Sequence, residues 1–577
     1  MRIAKLRLQH FRGYEEETMI FHRHAVISGE PRAGRSDLVE ALRRVLDPRS
    51  THGPVDPLDI HRNGDDLADE LTLTEVEVTL LDLGVELEDL LWEHLTTFNP
   101  DTGETASSGD MQTAVRGVAL CYRASYDLET DTGMHWVDFP LFSAPDIGDF
   151  ARVRRDLRDA IPVLFLKAGT PLQIRSDGTL RRLVSDSDPL GLAEALTVLD
   201  SDVRAATQMF SRSSAIAGGI ESVLACGVRD LLGVINENSV ELVPEDGTLA
   251  GLLRTLEPVL TLDSAGALPV RSHGSTVQSI VTTAEAVATT AAQGGSCVVV
   301  ADDFGDRLDT AAAQYLAHRL QTTADQVIIT TRRPDVVRAF APEELIRLTR
   351  RDGRRRTHRL DHTPDKKERL RRRLILDQFM AAITYRTIVL MEGPTDVEGF
   401  GAVAHRMAKE GNNSHGNLEA RSTRLVSPPG SDGGITRLPG FAQLALTLGF
   451  RVRVVIDNDK AGLEENIDKL PANVEQVVIL PPKTAVEAAL IRGLPFEVLE
   501  DATTALVDAG EIDAIPESVD DLTKYLIKSK TLKNSAVHVA WAHLVSEIPP
   551  IARQLIEILC QPATQQRLDL PDIEHAP

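Results

Sequence analysis

The chain has 577 residues, 26% charged and 42% hydrophobic, which excludes a disordered or collagen-like polymer and predicts about two to four domains. Its 86 Asp and Glu outweigh its 62 Lys and Arg for a net charge of −24. Coating of nucleic acid through bulk charge is thereby disfavoured, and any phosphate ligand calls for a local basic patch or a bound metal.

In chain order, the opening MRIAKLRLQHFRGY is too short of apolar residues for a signal peptide. No later window approaches the roughly 20 apolar residues that span a bilayer, so no membrane partner is expected. Cys121, Cys226, Cys297 and Cys560 are too scattered for a zinc cluster and too few for a disulfide framework, which predicts a reducing cytoplasm. Ile3 to Arg12 alternates apolar and polar residues and Ala25 to Ser28 is an apolar run ending at a glycine, so both read as strands. Leu38, Val39, Leu42, Val45 and Leu46 then make one helical face that Pro48 stops.

Asp65 to Glu93 holds eleven acids and no Lys or Arg, which reads as a solvated face. Val118 to Tyr126 and Met134 to Phe139 read as a hairpin, and residues 186–240 as a helical insertion serving packing or dimerisation. Ser296 to Ala301 and Gln326 to Thr330 are buried-strand runs. Arg350 to Arg373 carries twelve Lys or Arg and four acids in 24 residues. This block marks a boundary, predicting a domain over 1–350, a basic linker over 351–380 and a second α/β domain over 381–577 with a helical C-terminal part. In that second domain Thr387–Met391, Arg451–Ile456 and Gln476–Leu480 read as strands.

Gly29-Glu-Pro-Arg-Ala-Gly34-Arg35-Ser36 fits the phosphate-loop pattern except that arginine replaces lysine, and it lies between a strand and a helix as that loop requires. Such glycines let backbone N–H groups curl around phosphate oxygens, and the Ser36 hydroxyl can reach Mg²⁺. Val298-Val-Val-Ala-Asp302-Asp303 reads as a Walker B strand, with Asp303 in place of the usual glutamate. Ser272 and Gly274, in Arg271-Ser-His-Gly-Ser-Thr-Val-Gln278, match the signature segment with which one head closes on a nucleotide held by another, and Arg332 stands where a switch histidine would be. With the opening K-L-x-L-x-x-F-R-G, these motifs resemble an ABC-type ATPase head of the structural-maintenance and repair branch. Arg35, Asp303 and Arg332 all depart at the hydrolytic machinery, so bound ATP with weak or absent hydrolysis is expected. About 240 residues between phosphate loop and signature segment are too few for a long coiled coil.

The strand Thr387–Met391 ends in Glu392-Gly-Pro-Thr-Asp396, and Val452–Ile456 ends in Asp457-Asn-Asp459. Parallel sheets gather functional groups at the carboxyl ends of their strands, and converging carboxylates suit Mg²⁺ or Mn²⁺. The pair of motifs resembles the Toprim domain of topoisomerases, bacterial primases and the OLD (overcoming lysogenization defect) nucleases. Glu487 resembles the extra metal-binding glutamate of OLD nucleases. Four of the twelve lysines, Lys524, Lys528, Lys530 and Lys533, fall within ten residues, and Lys533, with Lys530 second, resembles the lysine that supports catalysis there.

The order of an ABC-type head before a Toprim domain resembles the OLD family, with a layout similar to the Gabija nuclease subunit. The resemblance implies DNA cleavage or nicking with two Mg²⁺ or Mn²⁺ ions held by Glu392, Asp396, Asp457, Asp459 and Glu487. It also implies a nucleotide-gated head, a homodimer or higher oligomer, a role in anti-phage defence and a separate helicase or effector partner. The Arg350–Arg373 block is a candidate to hold flanking DNA. The alternative is a nucleotide-sensing scaffold that assembles with an effector. A topoisomerase is disfavoured because none of the six tyrosines lies in a recognisable nucleophile module, and a primase because the cysteines make no zinc module.

Overall fold

The computed structural model describes the chain except residues 64–65, 68–72, 108–111, 128–129, 167–170, 175–178, 224–250, 252, 254–255, 263–265, 293, 295, 411–415, 429–433, 460–461, 513–514, 517, 529–534 and 573–577. The first half lays down β1 (Arg2–Phe11), β2 (Tyr14–Ile20), β3 (Ala25–Gly29), α1 (Arg35–Leu46), β4 (Thr74–Leu81), β5 (Thr96–Phe98), β6 (Val115–Asp127), β7 (Thr132–Asp138) and β8 (Val163–Leu166). There follow helices α2 (Thr179–Ser187), α3 (Pro189–Ser211), α4 (Ser214–Val223) and α5 (Ser275–Ala292). Then come β9 (Val298–Ala301), α6 (Thr310–Thr323), β10 (Gln326–Thr330), β11 (Leu345–Arg351) and β12 (Arg354–Arg359).

Two sheets result. The first is antiparallel, in the order β2-β1-β4-β6-β5 with β7 against β6. The second runs β8-β9-β10-β3-β11-β12, parallel from β8 to β11 with β12 antiparallel at the edge. One face of its central strands (Ile27, Val298, Val300, Ile328) packs with α1 against the antiparallel sheet, and the other (Val26, Val299, Val327, Ile329) packs against α5 and α6. Burial on both faces is why these strands are continuous apolar runs without alternation.

The second half comprises α7 (Lys366–Phe379), β13 (Thr387–Leu390), α8 (Pro394–Glu410), β14 (Thr423–Val426), α9 (Leu438–Thr447), β15 (Arg451–Ile456), β16 (Gln476–Ile479), α10 (Ser535–Leu544), α11 (Pro550–Leu559) and β17 (Arg567–Asp569), with shorter helices between. Its five strands are parallel in the order β14-β13-β15-β16-β17. One face shares the core containing Val26, Val299 and Leu316, through Phe379, Ile388, Val452 and Phe441. The other is covered by α8, α10 and α11. The two halves therefore meet through one continuous hydrophobic layer.

Residues 351–380, expected as a basic linker, include β12 and α7, and some of their cations pair with acids far away in sequence: Arg354 with Glu15 at 3.3 Å and Arg355 with Asp37. Within the acidic stretch, Glu77 faces Lys5 at 2.9 Å and Glu75 pairs with Arg123, so these two acids are cross-strand partners as well as a solvated edge. Of the helical insertion, α3 and α4 are described and 224–250 lie outside the described residues.

Candidate functional site

Two groups of functional side chains collect at the carboxyl ends of parallel strands. The first surrounds the loop after β3. Gly29 has φ +138°, and a Cβ there would lie 2.1 Å from the Leu348 carbonyl oxygen on β11; Gly34, at φ +91°, precedes α1. The buried Tyr14 hydroxyl donates to Gly34 O at 3.1 Å and anchors the loop from β2. These contacts hold the loop curled with the start of α1 facing a cavity of about 520 Å³, lined by Arg32, Gly34, Arg35 and Ser36 from the loop and by Arg350 and Arg355 from the β11–β12 hairpin. Arg35 folds back so that Nη1 donates to Gly29 O at 2.8 Å and Glu30 O at 3.4 Å.

Asp302 and Asp303 follow β9. Thr330 Oγ1, at the end of β10, donates to Asp302 Oδ1 at 2.6 Å, and the Asp303 N–H donates to Thr330 Oγ1 at 2.8 Å. Asp303 is left-handed at φ 44°. Burial, with Asp302 and Asp306 adding, holds its carboxyl above the usual range against Arg332 and Arg35. Arg332 pairs with Asp306 and stands 3.8 Å from Asp303. Burial lowers the Arg35 guanidinium pKa, opposed first by Asp303. The three substituted positions of the motif thus share one charge cluster. Ser272 and Gly274 lie elsewhere, at the exposed entry to α5, where Gln278 Nε2 donates to His273 O at 2.8 Å. They do not line the loop cavity.

The second group lies where the third sheet changes direction. β13 is laid down first and flanked by β14 and β15, so the chain leaves it toward opposite edges, the topology at which open α/β sheets take their ligands. Glu392 follows β13 and Asp457 follows β15. The Asp457 N–H donates to Glu392 Oε1 at 3.0 Å and bridges those two ends. Asp396, in the first turn of α8, is buried and accepts from the Gly393 N–H at 2.9 Å. Asn458 Nδ2 donates to Leu480 O at 3.2 Å, tying this corner to β16. After β16, Arg492 donates to Lys483 O at 2.8 Å and Thr484 Oγ1 at 2.7 Å and shapes the loop that delivers Glu487.

Burial raises the Asp396 carboxyl to about 7, with Glu392 and Glu487 adding. It raises Asp457 higher still, with Asp396, Glu392, Asp459 and Glu487 all contributing. The five acids proposed from sequence therefore feel one another's charge. Among the described residues no three His, Cys, Asp or Glu side chains stand in a metal-holding arrangement. The hard oxygen donors fit a divalent cation in chemistry.

Lys530 and Lys533 lie outside the described residues. The helix that follows them, α10, packs beside α8 with the C-terminal ends together: His543 lies 6.4 Å from His405 between ring centroids, and Arg406 donates to Ser546 O at 2.7 Å. Sequence reasoning missed Tyr14, Asp37 and Arg355 around the loop cavity. No local motif marks them, and only the glycines at 13 and 34, which leave room for Arg355, hint at a close approach.

No family model matches the chain, and no curated protein does. Solved structures similar to it include three SMC heads. An Smc head bound to the C-terminal winged-helix domain of ScpA has TM-score 0.34 and 14% identity, over 63% of this chain and 98% of that one. A Pyrococcus furiosus Smc head with an extended coiled coil, bound to the C-terminal domain of ScpA, has TM-score 0.34 and 13% identity, over 62% and 96%. The SMC head domain from Thermotoga maritima has TM-score 0.30 and 12% identity, over 63% and 100%. No helix among the described residues is long and apolar enough to cross a membrane.

Proposed function

We propose that this protein is a metal-dependent DNA endonuclease of OLD type, in which an ABC-type head binds nucleotide and controls a Toprim-type cleavage site. The observation that carries the reading is the bridge from the Asp457 N–H to Glu392 Oε1 between the ends of β13 and β15, with Asp396 on the adjoining turn, at the switch point of a parallel sheet. Asp396 is buried and Glu392, Asp457 and Glu487 are half-buried; so many acids at one sheet corner suit a phosphodiester site once cations are present.

Glu392, Asp396, Asp457, Asp459 and Glu487 would hold two Mg²⁺ or Mn²⁺ ions. Bound there, such ions supply an activated water and neutralise the leaving oxygen. The chain's own part is positional. Glu392 locks the ends of β13 and β15 together through the Asp457 N–H, and Asp396 fixes the turn into α8 through the Gly393 N–H. Lys533 is assigned the offsetting of negative charge that develops on the phosphoryl oxygens.

In the head, ATP is held at Gly29, Gly34, Arg35 and Ser36, with Asp302 and Asp303 on the metal side and Ser272 and Gly274 meeting the nucleotide of a second copy. Oligomer formation is assigned to the helical insertion, where Leu190, Val198, Met209 and Phe210 are exposed on α3. The cellular role is phage defence in the cytoplasm, together with a helicase or effector partner. The second reading, a nucleotide-sensing scaffold, is favoured by Arg35 lying on the Gly29 carbonyl.

The test is incubation of supercoiled plasmid and linear duplex with the full chain and Mg²⁺ or Mn²⁺, with and without ATP, beside an Asp457→Ala, Asp459→Ala double variant. Cutting by the unsubstituted chain alone supports the nuclease. Absence of cutting by folded, metal-binding protein supports the scaffold.

A further inference from the structure

The phosphate-loop pattern does not call for Arg355, yet the fold builds a slot for it. A Cβ on Gly13 would lie 2.1 Å from the Arg355 guanidinium carbon, and one on Gly34 would lie 2.3 Å from its Nη1. The guanidinium sits over the Tyr14 ring at 4.8 Å to the centroid and pairs with Asp37. Tyr14 is itself bonded to the loop at Gly34 O. The arginine is therefore threaded between the β1–β2 turn and the loop, and it opens onto the cavity of about 520 Å³.

Arg350 stands opposite Arg355 in the antiparallel register of the hairpin, so both side chains leave the same face. With Arg32 and Arg35, four arginines line a cavity whose lining includes one carboxylate, Asp37. Asp37 also has Arg12 at 3.3 Å, so it stays paired when Arg355 turns away. An anion of several charges complements this wall, and a guanidinium already stacked and oriented binds phosphate with little ordering cost.

We propose that Arg355 is a phosphate-binding residue of the head, turning from Asp37 to the phosphate oxygens of a nucleoside polyphosphate held by residues 29–36, so that the β11–β12 hairpin forms the second wall of the nucleotide site. This rests on the reading of residues 29–36 as a nucleotide site.

The experiment is calorimetric titration of the full-length protein with ATP and with inorganic tripolyphosphate, for the unsubstituted chain, Arg355→Gln, Arg355→Lys and Ser36→Ala, alongside thermal melts without ligand. Arg355→Gln fills the slot without charge and is expected to weaken both ligands about tenfold, while Arg355→Lys recovers most of that loss and both variants melt with the unsubstituted chain. Weakening of ATP and tripolyphosphate together assigns the contact to phosphate. Binding by Arg355→Gln equal to that of the unsubstituted chain, or a loss of binding that tracks a lowered melting temperature in both variants, overturns the assignment and leaves Arg355 a packing residue. Absence of binding by the unsubstituted chain overturns the nucleotide-head reading along with it.

Discussion

Arg347 lies with its guanidinium carbon 3.6 Å from the ring centroid of Phe450, joining the parallel sheet of the first half to the corner that precedes β15. The side chain is fully buried and donates to Ile383 O at 3.2 Å and Leu448 O at 2.9 Å, with Tyr385 O as a third acceptor at 2.5 Å. Glu30, in the loop after β3, stands 4.0 Å away. Removing the guanidinium leaves two buried carbonyls and one part-buried carbonyl short of a donor and a gap at the join. Arg347→Ala is expected to cost about 3–5 kcal/mol in urea unfolding. Arg347→Lys should recover less than half of that, because one ammonium cannot serve carbonyls spread around a planar fork. A loss below 1 kcal/mol, roughly the scale of a surface contact, would show that the halves are held by the apolar layer alone.

The two loop glycines are expected to respond differently to alanine. At Gly29 the new Cβ meets the backbone oxygen of Leu348, and β3 cannot part from β11 without breaking the sheet. Gly29→Ala should therefore lose about 2–4 kcal/mol of stability and nucleotide binding together. At Gly34 the obstruction is the end of the Arg355 side chain and the Tyr14 hydroxyl. Gly34→Ala should cost less stability than Gly29→Ala while still impairing nucleotide binding. Thermal melts and calorimetry on both variants check the ranking, and equal melting temperatures would contradict it.

Much of this was legible in the sequence. The strand at Arg451–Ile456 has the expected bounds, and the runs at 298–301 and 326–330 are strands because uninterrupted apolar residues in a parallel sheet leave no other burial. The acids after β13 and β15 meet because strand order forces them together. The partners of the basic stretch were not legible: Glu15, Glu17 and Asp37, which receive Arg354, Thr357 and Arg355, come from elements more than 300 residues earlier. Local composition carries no trace of such pairing. The final strand, Arg567–Asp569, is three residues long and joins the sheet by register alone, beside Gln476–Ile479. Nothing periodic announces it.

The head is expected to turn ATP over slowly. Arg332 is committed to Asp306, Asp303 is shorter than the usual glutamate, and Arg35 rests on the loop's own carbonyls. A triple change, Arg35→Lys, Asp303→Glu and Arg332→His, should raise steady-state phosphate release by about 100-fold or more, the scale on which single preorganised groups act. Turnover in the unsubstituted chain that already equals the triple variant and is lost in Ser36→Ala would show the three substitutions to be neutral.

The carboxylate site should make stability depend on pH in a direction that a divalent cation reverses. Burial holds Asp396 near 7, and Asp457 is shifted up more strongly, whereas in the unfolded chain both titrate near about 3.9. Across that interval the folded protein binds more protons than the unfolded one, so stability falls as pH rises. It is fully present below about pH 4 and is lost as pH climbs through the folded values. Melting temperature of metal-free protein should therefore decline from about pH 5 to pH 8 by several degrees. Mg²⁺ or Mn²⁺ should raise it far more at pH 8 than at pH 5, because a cation favours the ionised carboxylates. Asp457→Asn removes a half-buried titrating group and should flatten the decline while weakening the metal effect. A metal response equal at both pH values, or undiminished in Asp457→Asn, would place the cation elsewhere on this acidic chain.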